Sequence, residues 1–123
     1  MKRSILKVSV VAAVAVPALL LAANAQAHAH LVNANPAENA AVASPRAIDL
    51  QFSEKLEPKF SGVELMKADG AAVAIASGVP ANDAKSIHAV PKAALAPGSY
   101  MVMWHVVSAD GHKTKGQYNF TVK

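Results

Sequence analysis

The stretch Ser99–Val107, which reads SYMVMWHVV, decides the fold. Its side chains alternate between two faces, which is the period-two pattern of a β-strand. One face carries four large apolar residues, Tyr100, Val102, Trp104 and Val106. The other carries Met101, Met103, His105 and Val107. Because the turn signal Pro97-Gly98 stands directly before this run, we expect the strand to begin at Ser99.

Shorter segments of the same kind lie on both sides of this strand, bounded by Gly, Pro or Asn turn signals. They cover residues 31–32, 47–53, 62–67, 72–76, 86–90 and 116–122. About seven such strands predict an all-β fold, a Greek-key β-sandwich or barrel of cupredoxin-like or immunoglobulin-like type. The expected core is aromatic: Phe52, Tyr100, Trp104, Tyr118 and Phe120. Residues 37–43 are expected to form a loop, and residues 92–95 a single helical turn.

The first 27 residues have the pattern of a secretory signal peptide. Lys2, Arg3 and Lys7 precede an uncharged run at 8–23 and overlapping A-x-A cleavage sites. We favour cleavage after Ala27, which divides the chain into a leader, 1–27, and one domain, 28–123. The neighbouring frames would leave Gln26 or His30 at the terminus instead of His28.

The composition of the processed domain excludes several classes of function. Loss of the three basic residues of the leader leaves nine basic and eight acidic side chains, a net charge of +1. We therefore expect no nucleic-acid partner, and we expect a monomer that is not inserted in a membrane. The chain has no cysteine, which excludes disulfides, zinc–thiolate sites, iron–sulfur clusters and a thiol nucleophile.

Candidate metal ligands stand at two places in the sequence. Asp110-Gly111-His112 lies in the loop after the long strand, where an Asp and a His two residues apart can share a metal. A His28 terminus would offer an α-amine and an imidazole from one residue. Three nitrogens and one carboxylate oxygen suit Cu(II), which favours tetragonal nitrogen and oxygen ligation. Met66, Met101 and Met103 form no Met-x-x-Met cluster, so their spacing predicts no Cu(I) site.

Several stretches resemble the CopC-type periplasmic copper-binding proteins: HAHLV at 28–32, LQFSE at 50–54, GSY at 98–100 and, most strongly, WHVVSADGH at 104–112. The resemblance implies a Greek-key fold that binds one Cu(II) through His28, Asp110 and His112. It also implies a role in copper resistance or homeostasis in the periplasm, with a CopD-type inner-membrane partner. Some members have a Met/His-rich Cu(I) loop, but the corresponding stretch, 66–79, keeps only Met66, which indicates a Cu(II)-only member.

Other histidines and other functions stay open. His30 is a possible auxiliary ligand, and as third residue of the processed chain it could also join a square-planar tail chelate. His105 is interpreted as structural, and His88 as a surface residue without a local partner. We expect a binding protein and not an enzyme. The alternatives are a copper-brace oxidative enzyme and a metal-free immunoglobulin-like adhesion or chaperone module.

Overall fold

The computed structural model describes residues 29–123, so the predicted leader and His28 lie outside the described residues. Strands dominate this part of the chain, and a short 3-10 helix, Pro58–Phe60, accompanies them. The strands are β1 (Leu31–Asn35), β2 (Ala41–Val42), β3 (Ile48–Phe52), β4 (Gly62–Lys67), β5 (Ala72–Val73), β6 (Ile75–Gly78), β7 (Ser86–Pro91), β8 (Gly98–Val107) and β9 (Lys113–Val122). Within residues 29–123, no helix has the length and apolar character needed to cross a membrane.

The strands form two sheets that pack face to face. The four-stranded sheet has the order β1-β3-β7-β6, and the five-stranded sheet has the order β2-β9-β8-β4-β5. Neighbours are antiparallel, except that β2 runs parallel to the end of β9. This arrangement confirms the predicted all-β sandwich. Its longest hairpin, β8–β9, is paired from Gly98–Val122 to Val107–Lys113 and presents its loop at one end of the sandwich.

The predicted aromatic core lies between the sheets. Phe52, from the four-stranded sheet, meets the Trp104 ring edge-on, with ring centroids 5.1 Å apart. Tyr100 stacks on Phe120 at 5.6 Å within the five-stranded sheet. Trp104 is only partly buried, whereas the other predicted core aromatics are buried. The Tyr118 hydroxyl donates to the carbonyl of Pro36 at 2.8 Å, which satisfies a polar group that burial would otherwise leave unpaired.

Local propensity and tertiary pairing disagree at three places. The predicted strand 72–76 is divided between β5 and β6, which belong to different sheets. The predicted loop 37–43 contains β2, because its backbone pairs with β9. The helical turn predicted at 92–95 is wrong. There the amide of Lys92 donates to the carbonyl of Ala74 and the amide of Leu95 to the hydroxyl of Ser44, so both bonds are long-range.

Candidate metal centre

The β8–β9 loop is a tight five-residue connection, Ser108 to His112. Its ends are joined by a hydrogen bond from the Ser108 amide to the carbonyl of His112, 2.9 Å long. Inside the loop the amide of Gly111 donates to the carbonyl of Ser108 at 2.8 Å, and Gly111 has a φ of +93°. A side chain at this φ would be strained, so glycine is what allows the turn. The turn holds the flanking Asp110 and His112 on one short arc.

The structure brings Asp110 and His112 together, as the sequence predicted. Asp110 Oδ1 lies 3.0 Å from Nδ1 of His112 and 3.3 Å from its amide nitrogen. Two cis ligands, each about 2.0–2.1 Å from one ion, are about 2.9 Å apart at a right angle. The 3.0 Å between the carboxylate oxygen and the ring nitrogen is a hydrogen-bond distance, and it also lies close to this spacing.

Hydrogen bonds keep the Asp110 carboxyl ionised. The Ser108 hydroxyl donates to Oδ1 of Asp110, and the His112 side chain lies within hydrogen-bonding distance of the same oxygen. These two hydrogen bonds, in that order of size, lower the pKa of Asp110 from 3.8 to about 2. Since both favour the charged form, Asp110 is a carboxylate at any pH near neutrality.

The pair lies at the surface on a buried support. The side chains of Asp110 and His112 are 53% and 47% exposed, whereas Ser108 is 2% exposed. The amide of Ala109 donates to the carbonyl of Lys55 at 2.8 Å, and Ser108 forms an isolated antiparallel bridge with Leu56. The loop is therefore fixed to the chain that follows β3, and its two candidate ligands are about half exposed.

The segment before β1 is tied to the same end of the sandwich. Ala29 is 1% exposed, and its carbonyl accepts a hydrogen bond of 3.1 Å from the Thr114 hydroxyl, two residues after His112. The amide of His30 donates to the Ser53 hydroxyl at 2.9 Å, and the amide of Ser53 donates back to the carbonyl of His30 at 2.9 Å. This anchors the backbone of residues 29 and 30 beside β9 and the end of β3.

The other predicted site residues are distributed as follows. His28 lies outside the described residues, and the His30 side chain is exposed. His105 lies on the outer face of the five-stranded sheet, with Gly62 and Lys115 as its strand partners. Within residues 29–123, no group of three or more His, Cys, Asp or Glu is arranged to hold a metal ion.

His88 lies at the surface without a local partner, as predicted, but it has a partner from a distant part of the chain. Its Nδ1 lies 2.5 Å from Asp49 Oδ1, because the β3–β7 register places these two residues directly opposite each other. The side chains of His88 and Asp49 are 49% and 53% exposed, nearly the same as those of the His112–Asp110 pair. This second pair therefore provides a natural control for the loop pair.

Sequence reasoning missed three hydroxyl residues that support the site. Ser108 orients Asp110, while Thr114 and Ser53 hold the backbone of residues 29 and 30. The Ser-x-Asp spacing is a local signal for the first contact, since a Ser hydroxyl often bonds to a group two residues away. The contacts of Thr114 and Ser53 span 85 and 23 residues, so no local pattern could have predicted them.

Comparisons with known proteins agree with this architecture. The model of the CopC domain matches residues 31–123. The chain is 42% identical over 117 residues to copper resistance protein C of Xanthomonas campestris pv. juglandis, covering 89% of this chain and 91% of that protein. It is 46% identical over 102 residues to protein YobA of Escherichia coli K12, covering 79% and 80%.

A solved structure extends the likeness to three dimensions. The crystal structure of PcoC, a methionine-rich copper resistance protein from Escherichia coli, is similar with a TM-score of 0.73 and 40% sequence identity. That match covers 79% of this chain and all of the other. On the sequence match, the shared sandwich and the length of the overlap, this chain belongs to the CopC family.

Proposed function

We propose that this chain is a periplasmic Cu(II)-binding protein of copper homeostasis or resistance. It holds one Cu(II) per processed chain through His28, Asp110 and His112, and it buffers the ion or delivers it. The observation that carries the proposal is the Asp110–His112 pair, 3.0 Å apart on a fixed loop beside an anchored N-terminal segment. Its relatives copper resistance protein C of Xanthomonas and PcoC are both described as copper resistance proteins, and the chain belongs to the same family.

The anchoring of Ala29 supports His28 as the third ligand. Consecutive Cα atoms are about 3.8 Å apart, so the residue before Ala29 starts close to a backbone position that is bonded to Thr114. His112 and Thr114 are separated by two residues, about 7 Å in extended chain. The proposal requires the α-amine and the imidazole of residue 28 to reach the loop pair after cleavage behind Ala27, and the anchoring of Ala29 supports it.

The donor set favours Cu(II). An α-amine and two imidazoles supply nitrogen, and the ionised Asp110 supplies an anionic oxygen without first losing a proton. This combination suits the tetragonal preference of Cu(II) better than the soft ligands that Cu(I) prefers. The α-amine has an ordinary pKa of about 7.7–8.0, so Cu(II) affinity is expected to rise as the pH passes through that range.

The hydrogen bonds of residues 29 and 30 disfavour the competing tail chelate. A square-planar chelate at the terminus needs the deprotonated amides of residues 29 and 30 together with the His30 ring. In the folded chain the His30 amide proton is donated to Ser53, and the Ala29 side chain is buried in the core. The tail chelate would break that bond and expose Ala29, whereas the site at Asp110 and His112 requires neither. His30 is then at most an auxiliary ligand.

The setting of the site favours binding and transfer over catalysis. Asp110 and His112 are about half exposed, so a partner protein can approach the ion directly. The carboxylate of Asp110 would stabilise Cu(II) against reduction and would occupy a coordination position that oxygen chemistry needs. A CopD-type inner-membrane protein is the partner that the resemblance suggests. The leader would direct the chain to the periplasm, where we expect it to be a monomer.

The test is a Cu(II) titration followed by electron paramagnetic resonance, on protein secreted and processed by the cell. One equivalent should give an axial, nitrogen-rich spectrum. The spectrum should change in His112→Ala and stay the same in His88→Ala, which removes a histidine of matched exposure and matched Asp partner. A spectrum that is the same in wild type and His112→Ala would refute the proposal and move the ion to residues 28–30.

A further inference from the structure

An open groove lies on the outer face of the five-stranded sheet, at the end that carries the β8–β9 loop. It runs between the short 3-10 helix and the ends of β8 and β9, and its volume is about 930 Å³. We call it the lysine groove and define it by Lys59 and Phe60 of the helix, Val107 of β8, and Lys113 and Lys115 of β9. Val107 and Lys113 are direct partners in the strand register, so they share the outer face.

Phe60 is held at the surface and contributes nothing to the core. The helix Pro58–Phe60 has no buried residue, and Phe60 is 63% exposed, more than any other large apolar side chain within residues 29–123. Its surroundings are fixed through the backbone. The amide of Glu57 donates to the carbonyl of Val107 at 2.8 Å, and the amide of Val107 donates to the Ser61 hydroxyl at 3.0 Å. A partner that covers Phe60 therefore gains aromatic contact area without having to order a loop.

The charges that line the groove have one sign. Three lysines line it, and among residues 29–123 no Asp or Glu does. These three are a third of the nine basic side chains of the processed domain, whose net charge is only +1, so positive charge is concentrated here. Glu57 precedes the helix, Glu64 lines an adjoining depression, and Asp110 belongs to the loop. The acidic groups thus flank the groove, and charge complementarity requires an acidic occupant.

We propose that the lysine groove docks an acidic segment of a partner protein, with one bulky apolar side chain of that segment packed against Phe60 and Val107. The volume is at the upper end of the range of roughly 300–1,000 Å³ that ligand pockets have. A single small anion would fill little of it, and a flat membrane surface would not enter a concave groove. A short acidic peptide segment with an apolar anchor matches the size, the charge and the apolar floor together.

The groove lies beside the candidate metal centre. Lys113 directly follows His112, and Val107 directly precedes Ser108, whose hydroxyl donates to Asp110. A partner in the groove would therefore approach the loop pair from one defined side. This consequence for copper transfer rests on the proposed function, whereas docking itself requires no metal.

A peptide titration of the metal-free protein tests the docking. Secreted and processed ¹⁵N-labelled protein is titrated with a short blocked peptide that has Leu-Phe between two runs of Glu. We expect the amide signals of residues 59–60, 105–107 and 113–115 to shift together and to saturate. Two control peptides carry Lys in place of Glu, or Ser-Ser in place of Leu-Phe, and each should bind about tenfold more weakly or worse.

The apolar anchor is tested with Phe60→Ala, which should weaken binding of the Glu peptide by about tenfold or more. Phe60 is not part of the core, so this variant should fold like the wild type. Val32→Ala is the matched control, because Val32 is 58% exposed but lies on the other sheet. It should leave binding unchanged.

The charges are tested by reversal. Lys113→Glu together with Lys115→Glu should transfer the preference from the Glu peptide to the Lys peptide. Lys85→Glu together with Lys92→Glu makes the same change in net charge at exposed positions outside the groove, and it should keep the preference for the Glu peptide. Higher ionic strength should weaken binding of the Glu peptide to wild type, since exposed charges are screened.

Several results would overturn the proposal. The Glu peptide could give no saturable shift, or the Ser-Ser peptide could bind equally well, which would leave only a charged surface. Binding to phosphatidylglycerol vesicles in place of the peptide would assign the groove to lipid, and self-association that is lost in Phe60→Ala would assign it to a second copy of the chain. Because the protein is free of metal throughout, failure here leaves the Cu(II) proposal intact, and an unchanged Cu(II) spectrum in His112→Ala leaves the docking intact.

Discussion

The replacement Gly116→Ala tests how the β8–β9 hairpin is packed. Gly116 lies opposite Trp104, and the indole ring covers the glycine. A Cβ at position 116 would stand 2.4 Å from Cζ2 and 2.8 Å from Cε2 of Trp104. Ordinary carbon contacts are about 3.5–4.0 Å, so the ring would have to move by more than about 1 Å. It cannot move freely, because it also packs against the buried Phe52 ring.

Three contributions determine the expected change in the free energy of unfolding. Overpacking of this kind costs typically about 1–3 kcal/mol. Loss of the edge-to-face contact between Trp104 and Phe52 costs about 0.5–1.5 kcal/mol more. The reduced entropy of the unfolded chain returns about 0.4–1 kcal/mol. We therefore expect Gly116→Ala to lower the free energy of unfolding by about 2 kcal/mol, which lowers the Tm of a domain of this size by about 8–16 °C.

Urea unfolding followed by tryptophan fluorescence measures this directly, since Trp104 is the one tryptophan of the chain. Gly78→Ala is the matched control, because a Cβ there meets nothing within 4 Å and its backbone is extended. In a Trp104→Leu background, followed by circular dichroism, Gly116→Ala should cost much less. Equal stability of Gly116→Ala and wild type, or an equal cost in both backgrounds, would refute the packing argument.

Three further predictions concern single groups. Burial raises the pKa of Tyr118 to about 12, so its contribution to stability is complete below about pH 10 and is lost as the pH rises toward 12. Tyr118→Phe, which also removes the hydrogen bond to Pro36, should reduce this loss of stability at alkaline pH, measured by urea unfolding. An unchanged pH profile would contradict the assignment. Ser108→Ala should raise the pKa of Asp110 from about 2 toward 3.8, measured by carboxyl ¹³C shifts. The stability that the Asp110 carboxylate contributes should then be lost at a higher pH as the solution is acidified. An unchanged pKa would show that the Ser108 hydroxyl is not the main cause of the low value. Gly111→Ala, at a φ of +93° with open space around it, should cost about 1–2 kcal/mol in thermal unfolding from backbone strain alone, and no loss would mean that the turn relaxes.

The strands that the sequence predicted with nearly their observed bounds are those whose side chains alternate over several residues. Gly62–Lys67 was predicted with its observed bounds, and the long strand from Ser99 differs by one residue. Alternation requires a buried face, and both segments have one. By contrast β2 and β5 are two residues long, so their side-chain pattern carries almost no information. Their positions follow from backbone pairing with β9 and β4, which is a tertiary property.

The residues of the candidate site also fall into a group that local sequence could predict and a group that only tertiary pairing brings together. Asp110 and His112 could be predicted as a pair because they are two residues apart in a turn. Their supports could not, since Thr114 reaches Ala29 across 85 residues. The His88–Asp49 pair was missed for the same reason, because only the register of β3 with β7 brings these residues together across 39 residues.

The two faces of the β8–β9 hairpin have separate roles. Its inward residues, such as Trp104, fix the hairpin against the other sheet, while its outward residues, such as Met103, do not contribute to the core. Met→Leu changes on the outer face should therefore leave Asp110 and His112 in place. A change beneath Trp104 should disturb Asp110 and His112, because the inner packing holds the whole hairpin. The period-two geometry of the strand thus separates the two kinds of change, and Gly116→Ala is the one expected to reach the candidate metal centre.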